Sequence, residues 1–360
     1  MKHYILSLLL CAGLLCAAGC SSDDSPKAEA PAKDIIIMFA SPAGQGDSGY
    51  NDLLINGVSA FAYGHDIDFY LVNSSSIEEA AEQYEGFLFF ASLVEDDSKA
   101  LVILASSEYE DIARMDVPHG ESCSVLLLES DAKDMPEWVS TAKVNRYGAC
   151  WLAGAMVSEQ PAEIIMAMPG ESITEEAAAG FEAGFMAHTN GKTVRRHYLS
   201  DGYRGFLMQV EANRLTSSII DTYNRSEEPY CTFLPLAGGS NLGVYNAFTR
   251  FVHAQQAIGM DIDCSGQNDY IPFSIVVRID RLLHSSLTQW LSDGSLPRHV
   301  SHGLLSDYIT IVFSDSWDPL GLLGAWDGND VGILPENFWE TKFARYLTEA
   351  VEKEKEYESK

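Results

Sequence analysis

The stretch IIIMFASPAGQGDSGYNDLLINGVSAF, residues 35 to 61, carries the first decision about this chain. The apolar run IIIMFA reads as a buried strand. A glycine-rich turn follows, and then Tyr50, Leu53, Leu54, Val58 and Phe61 recur at spacings of three and four, the period of a helix packed on one face. Gly44, Gly46 and Gly49 spell G-x-G-x-x-G between that strand and that helix, the pattern of a dinucleotide-binding turn. Two features argue against a pyrophosphate there. Asp47 places negative charge inside the would-be cradle, and the acids about 20 residues on, Asp66 and Asp68, precede or begin the next strand instead of ending it. The loop is better read as a binding element at the mouth of an α/β sheet, its glycines turning the first strand so that Ser41 and Tyr50 face a ligand.

Moving outward, apolar strand-like runs alternate with helical periodicity. IDFYLVN (67–73) precedes the helical IEEAAEQYEGFLFFA. ALVILAS (100–106) precedes a short helix, and SVLLLES (124–130) a loop. RYGACWLAGAMVSE (146–159) has small residues at helical spacing, which suits close packing on a neighbour. A second series follows: EIIMAMPG, the helix EEAAAGFEAGFMAH, RRHYLSDG, a helix over 206–223, CTFLPLAGG, a further helix and AIGMDID. Strand, helix, strand repeated in this way predicts an α/β fold of two doubly wound parallel-sheet lobes joined by a hinge. The boundary falls near Gln160 and Pro161. The expected organisation is lobe 1 over 35–160 plus about 262–292, lobe 2 over 161–261 plus about 293–335, and a C-terminal helix over 336–360 that is solvated and carries no chemistry. Right-handed crossovers put the strand-to-helix loops at the carboxyl edge of each sheet, where ligands bind. The segments to watch are therefore 41–51, 106–109, 130–134, 169–173, 200–206, 237–243 and 261–266.

The chain has 360 residues, 46% of them hydrophobic, enough for two ordinary cores. Acids outnumber bases 52 to 23, for a formal net charge of −29. Such a surface repels phosphate backbones and excludes nucleic acid as a partner, while leaving small neutral or cationic ligands open. At the N-terminus, Lys2 precedes an apolar segment that ends on the small residues AAGC, Ala17 to Cys20. This reads as an export signal over 1–19. Its Ala-Gly-Cys ending resembles a bacterial lipoprotein signal, with Ala17 where Leu is usual, in which Cys20 becomes the lipidated first residue. Residues 20–34 then form a polar tether. No later stretch reaches the ~18–20 consecutive apolar residues that span a bilayer, so the expected location is the cell envelope, lipid-anchored on the periplasmic or outer-membrane side.

Cys11 and Cys16 leave with the signal. Cys123, Cys150, Cys231 and Cys264 remain in an oxidising compartment, where four cysteines allow three pairings. Cys231 with Cys264, at the ends of neighbouring predicted strands, is the first candidate pair; four buried reduced thiols are the alternative. There is no H-E-x-x-H, no close Cys/His ligand set and no G-x-S-x-G elbow. The segment SDSWDPLGLLGAWDGND (314–330) holds Asp315, Asp318, Asp327 and Asp330 but lacks the D-x-D-x-D-G register of a calcium loop. No metal, cofactor or catalytic residue is expected.

The order of motifs resembles the basic membrane protein family of bacterial lipoproteins, solute-binding proteins whose better-known members bind purine nucleosides. The likeness covers roughly residues 34 to 310. DSGYND stands for the family's Asp-Lys-Ser-Phe-Asn, YGACWLAGAM for its Gly-Ser-Tyr-Leu-Ala-Gly helix, and GFEAGFMA for Arg-Phe-Glu-Ala-Gly-Phe. LAGGSNLGVYNAF and IGMDID stand for Gly-Gly-Thr-Gly-x-Gly-Val and Ile-Gly-Val-Asp-Ser-Asp. The resemblance implies a type I periplasmic binding protein fold that closes on a small molecule and hands it to a membrane permease of the ABC class. It also implies a ligand set. Tyr50 matches the aromatic that stacks on the base, Ser41 the polar residue ending the first strand, and Asp47 and Asn51 flank them. The family's acid after the third strand falls among Ser106, Ser107 and Glu108, of which Ser107 and Glu108, with Tyr109, join the set, and Tyr203 or Phe206 match the second aromatic. Gly238, Gly239, Asn241, Gly259 and Asp261 complete the set. The acid that would hold ribose hydroxyls has no counterpart, since Asn241 and Leu242 stand there. The family's lysine is Val277, with Arg278 beside it. Missing polar partners cost discrimination steeply, so nucleoside specificity is in question while the scaffold stands. Three functions follow in order: a solute-binding protein for uptake, a surface lipoprotein with a drifted cleft acting as sensor or interaction protein, and a hydrolase using cleft acids.

Overall fold

A computed structural model of the chain describes residues 33–42, 44–47, 49–93, 98–248, 255–264, 270–314 and 338–359. The expected export signal, Cys20, the part of the expected tether before Lys33 and the aspartates at 315, 318, 327 and 330 lie outside the described residues. In chain order the first elements are β1 (Ile35–Phe39), α1 (Tyr50–Gly64), β2 (Asp68–Val72), α2 (Ile77–Ala91), β3 (Ala100–Leu104), α3 (Glu110–Ala113), β4 (Cys123–Leu128), β5 (Val139–Val144) and α4 (Tyr147–Met156). Next come β6 (Ala162–Met166), α5 (Ser172–His188), β7 (Val194–Tyr198), α6 (Gln209–Tyr223), β8 (Cys231–Leu236), α7 (Asn241–Ala247) and β9 (Gln255–Ala257). The chain continues through β10 (Gly259–Asp261), β11 (Phe273–Val277), α8 (Ile279–Asp293), β12 (His299–His302), β13 (Ile309–Phe313) and α9 (Phe338–Glu358).

Strands of the first lobe form a six-stranded sheet in the order β12-β5-β4-β3-β1-β2, parallel throughout. Its strands are apolar runs because both faces are covered. Ile36 and Met38 of β1 point to the side where Leu54 and Val58 of α1 and Leu283 of α8 pack. Ile35, Ile37 and Phe39 point to the other side, against Tyr84 and Leu88 of α2. The second lobe repeats the plan with four parallel strands in the order β7-β6-β8-β9. Ile164 and Met166 face Phe181 and Phe185 of α5, and Ile165 faces Ala212 and Ile220 of α6. This is the α/β, doubly wound, two-lobe architecture that the alternating pattern predicts.

Three further strands form a small sheet in which β10 runs parallel and β13 antiparallel to β11. They carry the chain between the lobes. One placement differs from the sequence expectation. The sequence pattern places residues from about 293 to 335 in the second lobe, but β12 extends the first lobe's sheet beyond β5. HVSH shows no apolar run, and it pairs there because polar neighbours satisfy it: Thr141 Oγ1 meets His299 Nδ1 at 2.6 Å.

Helix α4 is buried along nearly its whole length, from Gly148 to Met156. It lies so close to α5 that only glycine fits at the contacts. A Cβ on Gly154 would stand 2.1 Å from the Phe181 carbonyl oxygen, and one on Gly184 1.9 Å from that of Trp151. The C-terminal helix is not the solvated tail that its charges suggest. Tyr346, Ala350 and Glu354 of α9 are buried, Tyr357 stacks on Tyr147 with ring centres 4.1 Å apart, and Glu354 accepts the N–H groups of Gly148 and Leu304 at 3.1 and 2.9 Å. The four cysteines at 123, 150, 231 and 264 are buried and free, so the Cys231–Cys264 pairing is not formed.

Candidate functional site

A cleft opens where the carboxyl ends of the two sheets face each other. From the first lobe it is lined by Ser41, Pro42 and Asp47 after β1, Tyr50 and Asn51 at the start of α1, Ser106 after β3 and Arg146 before α4. From the second it is lined by Glu171, Ile173, Thr174 and Ala177 around the start of α5, Tyr203 and Phe206 after β7, and Leu236, Ala237 and Gly238 after β8. Met260 and Asp261 of β10 close it. About 640 Å³ is free of protein atoms, part of it open to solvent.

The glycine loop is built to start a helix. Asp47 is buried, and its carboxylate accepts N–H groups from Gly49 (3.0 Å), Asn51 (2.8 Å) and Asp52 (3.1 Å). It therefore satisfies the otherwise orphaned donors of the first turn of α1. Gly44 and Gly46 take left-handed φ values of 76° and 88°, and the Gly46 N–H goes to Asp52 at 2.9 Å. The loop amides that a pyrophosphate would need are spent within the protein. Asp66 and Asp68 lie by Lys33, at 2.7 and 3.8 Å, at the other end of β2. Asn51 and Ser41 bond each other, Nδ2 to Oγ at 2.8 Å and the Ser41 N–H to Oδ1 at 3.1 Å. The Tyr50 hydroxyl donates to the Ala105 carbonyl at 3.1 Å.

Three of the expected residues face elsewhere, and Arg278 is engaged as well. Tyr109 is fully buried in the first lobe, its hydroxyl donating to the Ala40 carbonyl at 2.5 Å. Asn241 accepts the Ala237 N–H at 2.8 Å and so fixes the turn after β8. Gly259 makes room for Ser274, whose Oγ would lie 2.2 Å from a Cβ there. Arg278, beside the position of the family's lysine, is paired with Asp280 at 2.8 Å.

Ser107, Glu108 and Gly239 instead bridge the lobes at the cleft mouth. The Tyr203 hydroxyl donates to Glu108 Oε2 at 2.9 Å, and the Ser107 and Ser172 hydroxyls meet at 2.6 Å. Gly239 presses on the backbone of Asp47, where a Cβ would stand 2.8 Å from Cα and 2.9 Å from the carbonyl oxygen.

Sequence reasoning missed the centre of the site. Arg146 is buried and holds Glu129 in a fork, Nη1 to Oε2 at 2.9 Å and Nη2 to Oε1 at 3.0 Å, with Nη1 also donating to the Val144 carbonyl at 2.9 Å. Burial works against the Arg146 charge, but Glu129 outweighs it and holds the pKa above the ordinary guanidinium value. Glu129 and Asp261 flank this arginine with left-handed φ values of 61° and 68°. Backbone of that kind on non-glycine residues clusters at functional sites. Burial lifts the Asp261 carboxyl to about 6, with Arg146 partly opposing and Asp47 and Glu129 adding repulsion. Burial also raises Asp47 despite its three N–H partners. Glu171 caps α5 through the Ile173 and Thr174 N–H groups at 3.3 and 2.8 Å, and burial raises it too. An arginine just before a helix of small apolar residues was the available signal, because a buried arginine requires a partner.

Among the described residues no group of three or more His, Cys, Asp or Glu side chains is placed to hold a metal, and no helix is long and apolar enough to cross a membrane.

No protein-family model matches the chain, and no curated protein matches it by sequence. Solved structures do match in fold. An ABC transporter solute-binding protein of Aeropyrum pernix K1 superposes with a TM-score of 0.64 at 16% identity, covering 89% of this chain and 86% of its own. A periplasmic solute-binding protein of Actinobacillus succinogenes 130z with bound D-allose gives 0.57 at 13%, over 79% and 98%. A transcriptional activator of the comK gene from Bacillus halodurans gives 0.56 at 12%, over 87% and 97%. The shared property is the type I periplasmic binding fold, which hosts transport and regulatory proteins alike.

Proposed function

We propose that the chain is a solute-binding protein that captures a small molecule between its two lobes and performs no covalent chemistry. The observation that carries this reading is the cleft itself. It is lined by strand-end residues from both sheets and held shut by contacts that run from one lobe to the other. The solute-binding proteins among the structural neighbours support it. A hydrolase fits less well, because Asp47 and Glu171 are tied to helix N-termini rather than poised as an acid and a base.

On this reading the chain is a lipoprotein anchored through Cys20, presenting its solute to an ABC permease, as the resemblance to the basic membrane protein family implies. Tyr50, Tyr203 and Phe206 line the cleft and are the rings available to stack on. A nucleoside would stack on these rings, but the ribose partners are absent, since the Asn241 carboxamide oxygen is already engaged.

A thermal-shift screen of the purified protein against nucleosides, sugars and small amines tests the reading. A ligand at 100 times its Kd adds about 2.7 kcal/mol. The expected result is at least one responsive class, with the response reduced in Tyr50→Ala relative to that variant's own baseline. A response equal in Tyr50→Ala and wild type would remove the cleft from consideration.

A further inference from the structure

We propose that the solute is an organic cation, a single ammonium or amidinium group on a mainly apolar, ring-sized body, with its positive end against Asp261. The proposal rests on the reading of the cleft as a solute site and goes beyond it to the chemical class.

The argument is a census of what the cleft has left to give. Ser41 and Asn51 bond each other twice, which leaves the Ser41 hydroxyl proton and one Asn51 N–H. Ser106 Oγ accepts the Glu108 N–H at 3.2 Å and keeps its own proton, and the Thr174 hydroxyl donates to the Glu171 carbonyl at 3.2 Å. Asp47 and Glu171 are occupied by helix N–H groups. The Tyr50 and Tyr203 hydroxyls are donated to Ala105 and Glu108. Arg146 uses three of its five N–H groups on Glu129 and Val144. Asp261 has no hydrogen-bond partner among the described residues, yet it borders the cleft. A hexose or a ribose brings several hydroxyls, and each left unpaired in a buried site is costly. The donors left are two arginine N–H groups, the Ser41 and Ser106 hydroxyl protons and one Asn51 N–H, whereas Asp261 is the carboxylate left without a partner to accept the several hydroxyl protons a sugar brings.

Charge excludes the opposite class. Among the described residues Arg146 is the one cation lining the cleft, and Glu129 neutralises it. Asp47, Glu171 and Asp261 then face any solute with three carboxylates. An anion is repelled, whereas an ammonium gains the carboxylate in a cleft whose lining includes the rings of Tyr50, Tyr203 and Phe206. Ile173, Leu236 and Met260 supply the apolar wall for the rest of the molecule.

Linkage gives a signature. Free Asp261 titrates near 6, in the field of Arg146, Asp47 and Glu129, with Tyr50, Tyr245, Cys150 and Cys264 also sensing its charge. A cation needs the ionised form, so its affinity falls as pH drops through 6, by about tenfold between pH 7 and pH 5.

The test uses the full-length mature protein in thermal-shift and calorimetric titrations with three matched probes: phenethylamine, 2-phenylethanol and phenylacetate. Agmatine, choline, inosine and D-allose complete the panel. The expected result is a rise of several degrees in Tm with one or more amines and none with the matched alcohol or acid. The amine affinity weakens about tenfold from pH 7 to pH 5. Asp261→Asn abolishes the amine response while its unliganded Tm is unchanged or higher, because the removed charge was penalised by burial. A response to 2-phenylethanol, inosine or D-allose without one to any amine overturns the cation assignment and leaves solute binding intact. Silence across the whole panel overturns both. An amine response that survives in Asp261→Asn overturns the role of that carboxylate.

Discussion

Gly239→Ala tests whether the cleft works by closing. The nearest atoms to a Cβ at this position all belong to the Asp47 backbone in the other lobe, at 2.8, 2.9 and 3.1 Å. Ordinary contact begins near 3.4 Å, so the lobes must part by at least about half an ångström to admit one methyl. Backbone cannot swing aside as a long side chain would. Overpacking of this kind costs about 1–3 kcal/mol, and here only the closed arrangement bears it, because an open cleft has no Asp47 against Gly239. The closed-to-open ratio should therefore fall roughly 5- to 150-fold, and the Kd of any solute that requires closure should rise by up to the same factor. Small-angle scattering reads the opening directly, and calorimetry with a responsive solute reads the affinity. Gly205→Ala is the control. Its Cβ would meet the Ala167 carbonyl oxygen of its own lobe at 1.9 Å, so it should lower Tm in either arrangement. If Gly239→Ala scatters like wild type and binds like wild type, the interlobe contact does not control closure. If it loses as much Tm as Gly205→Ala, the glycine serves the fold instead.

Two further outcomes follow from the buried charges. Arg146→Ala should lower stability by about 3–5 kcal/mol in urea unfolding, because Glu129 is left buried and unpaired; the double replacement Glu129→Leu/Arg146→Met should recover most of the loss. Burial lifts Glu354 from its ordinary 4.5 to about 7, with Glu358 and Glu176 adding repulsion. The folded chain thus favours the protonated acid, and this contribution, on the order of 3 kcal/mol, is full below pH 4.5 and lost as pH rises through 7. The Tm of wild type should accordingly fall relative to Glu354→Gln between pH 5 and pH 8, and parallel curves for the two proteins would contradict this placement of α9.

The fold was legible where strands are buried on both faces. IIIMF, ALVIL and AEIIM are covered on two sides and read as apolar runs. β5 escaped notice because Val-Ser-Thr-Ala-Lys-Val has no such run, although it lies between β4 and β12 and most of it is buried. Lys143 is part of the reason. Its ammonium reaches out of the strand to Glu176 at 2.6 Å and Asp131 at 3.2 Å, a long-range pairing that no local pattern announces. Tail helix α9 was misjudged for a similar cause, since the glycines at 148 and 303 that accommodate Glu354 are distant in sequence. In the site, position along the chain identified which loops meet but not which way each side chain turns. Ser106 faces the cleft, Ser107 and Glu108 bridge to the second lobe, and Tyr109 turns back into the core, all within one turn of 3₁₀ helix.

The free cysteines have a practical meaning. They are distributed over four regions: β4, α4, β8 and the segment just after β10. Burial pushes each thiol up, Cys123 to about 12 and Cys264 to about 11, with Cys150 and Cys231 also raised. The folded chain therefore presents almost no thiolate to an alkylating reagent. Each cysteine becomes reactive only when its own neighbourhood opens. The rates at which the four are labelled form a built-in clock for local unfolding, reporting on each lobe and on the segments between them without any added probe. Reductant should leave those rates unchanged, because none of these four cysteines is bridged.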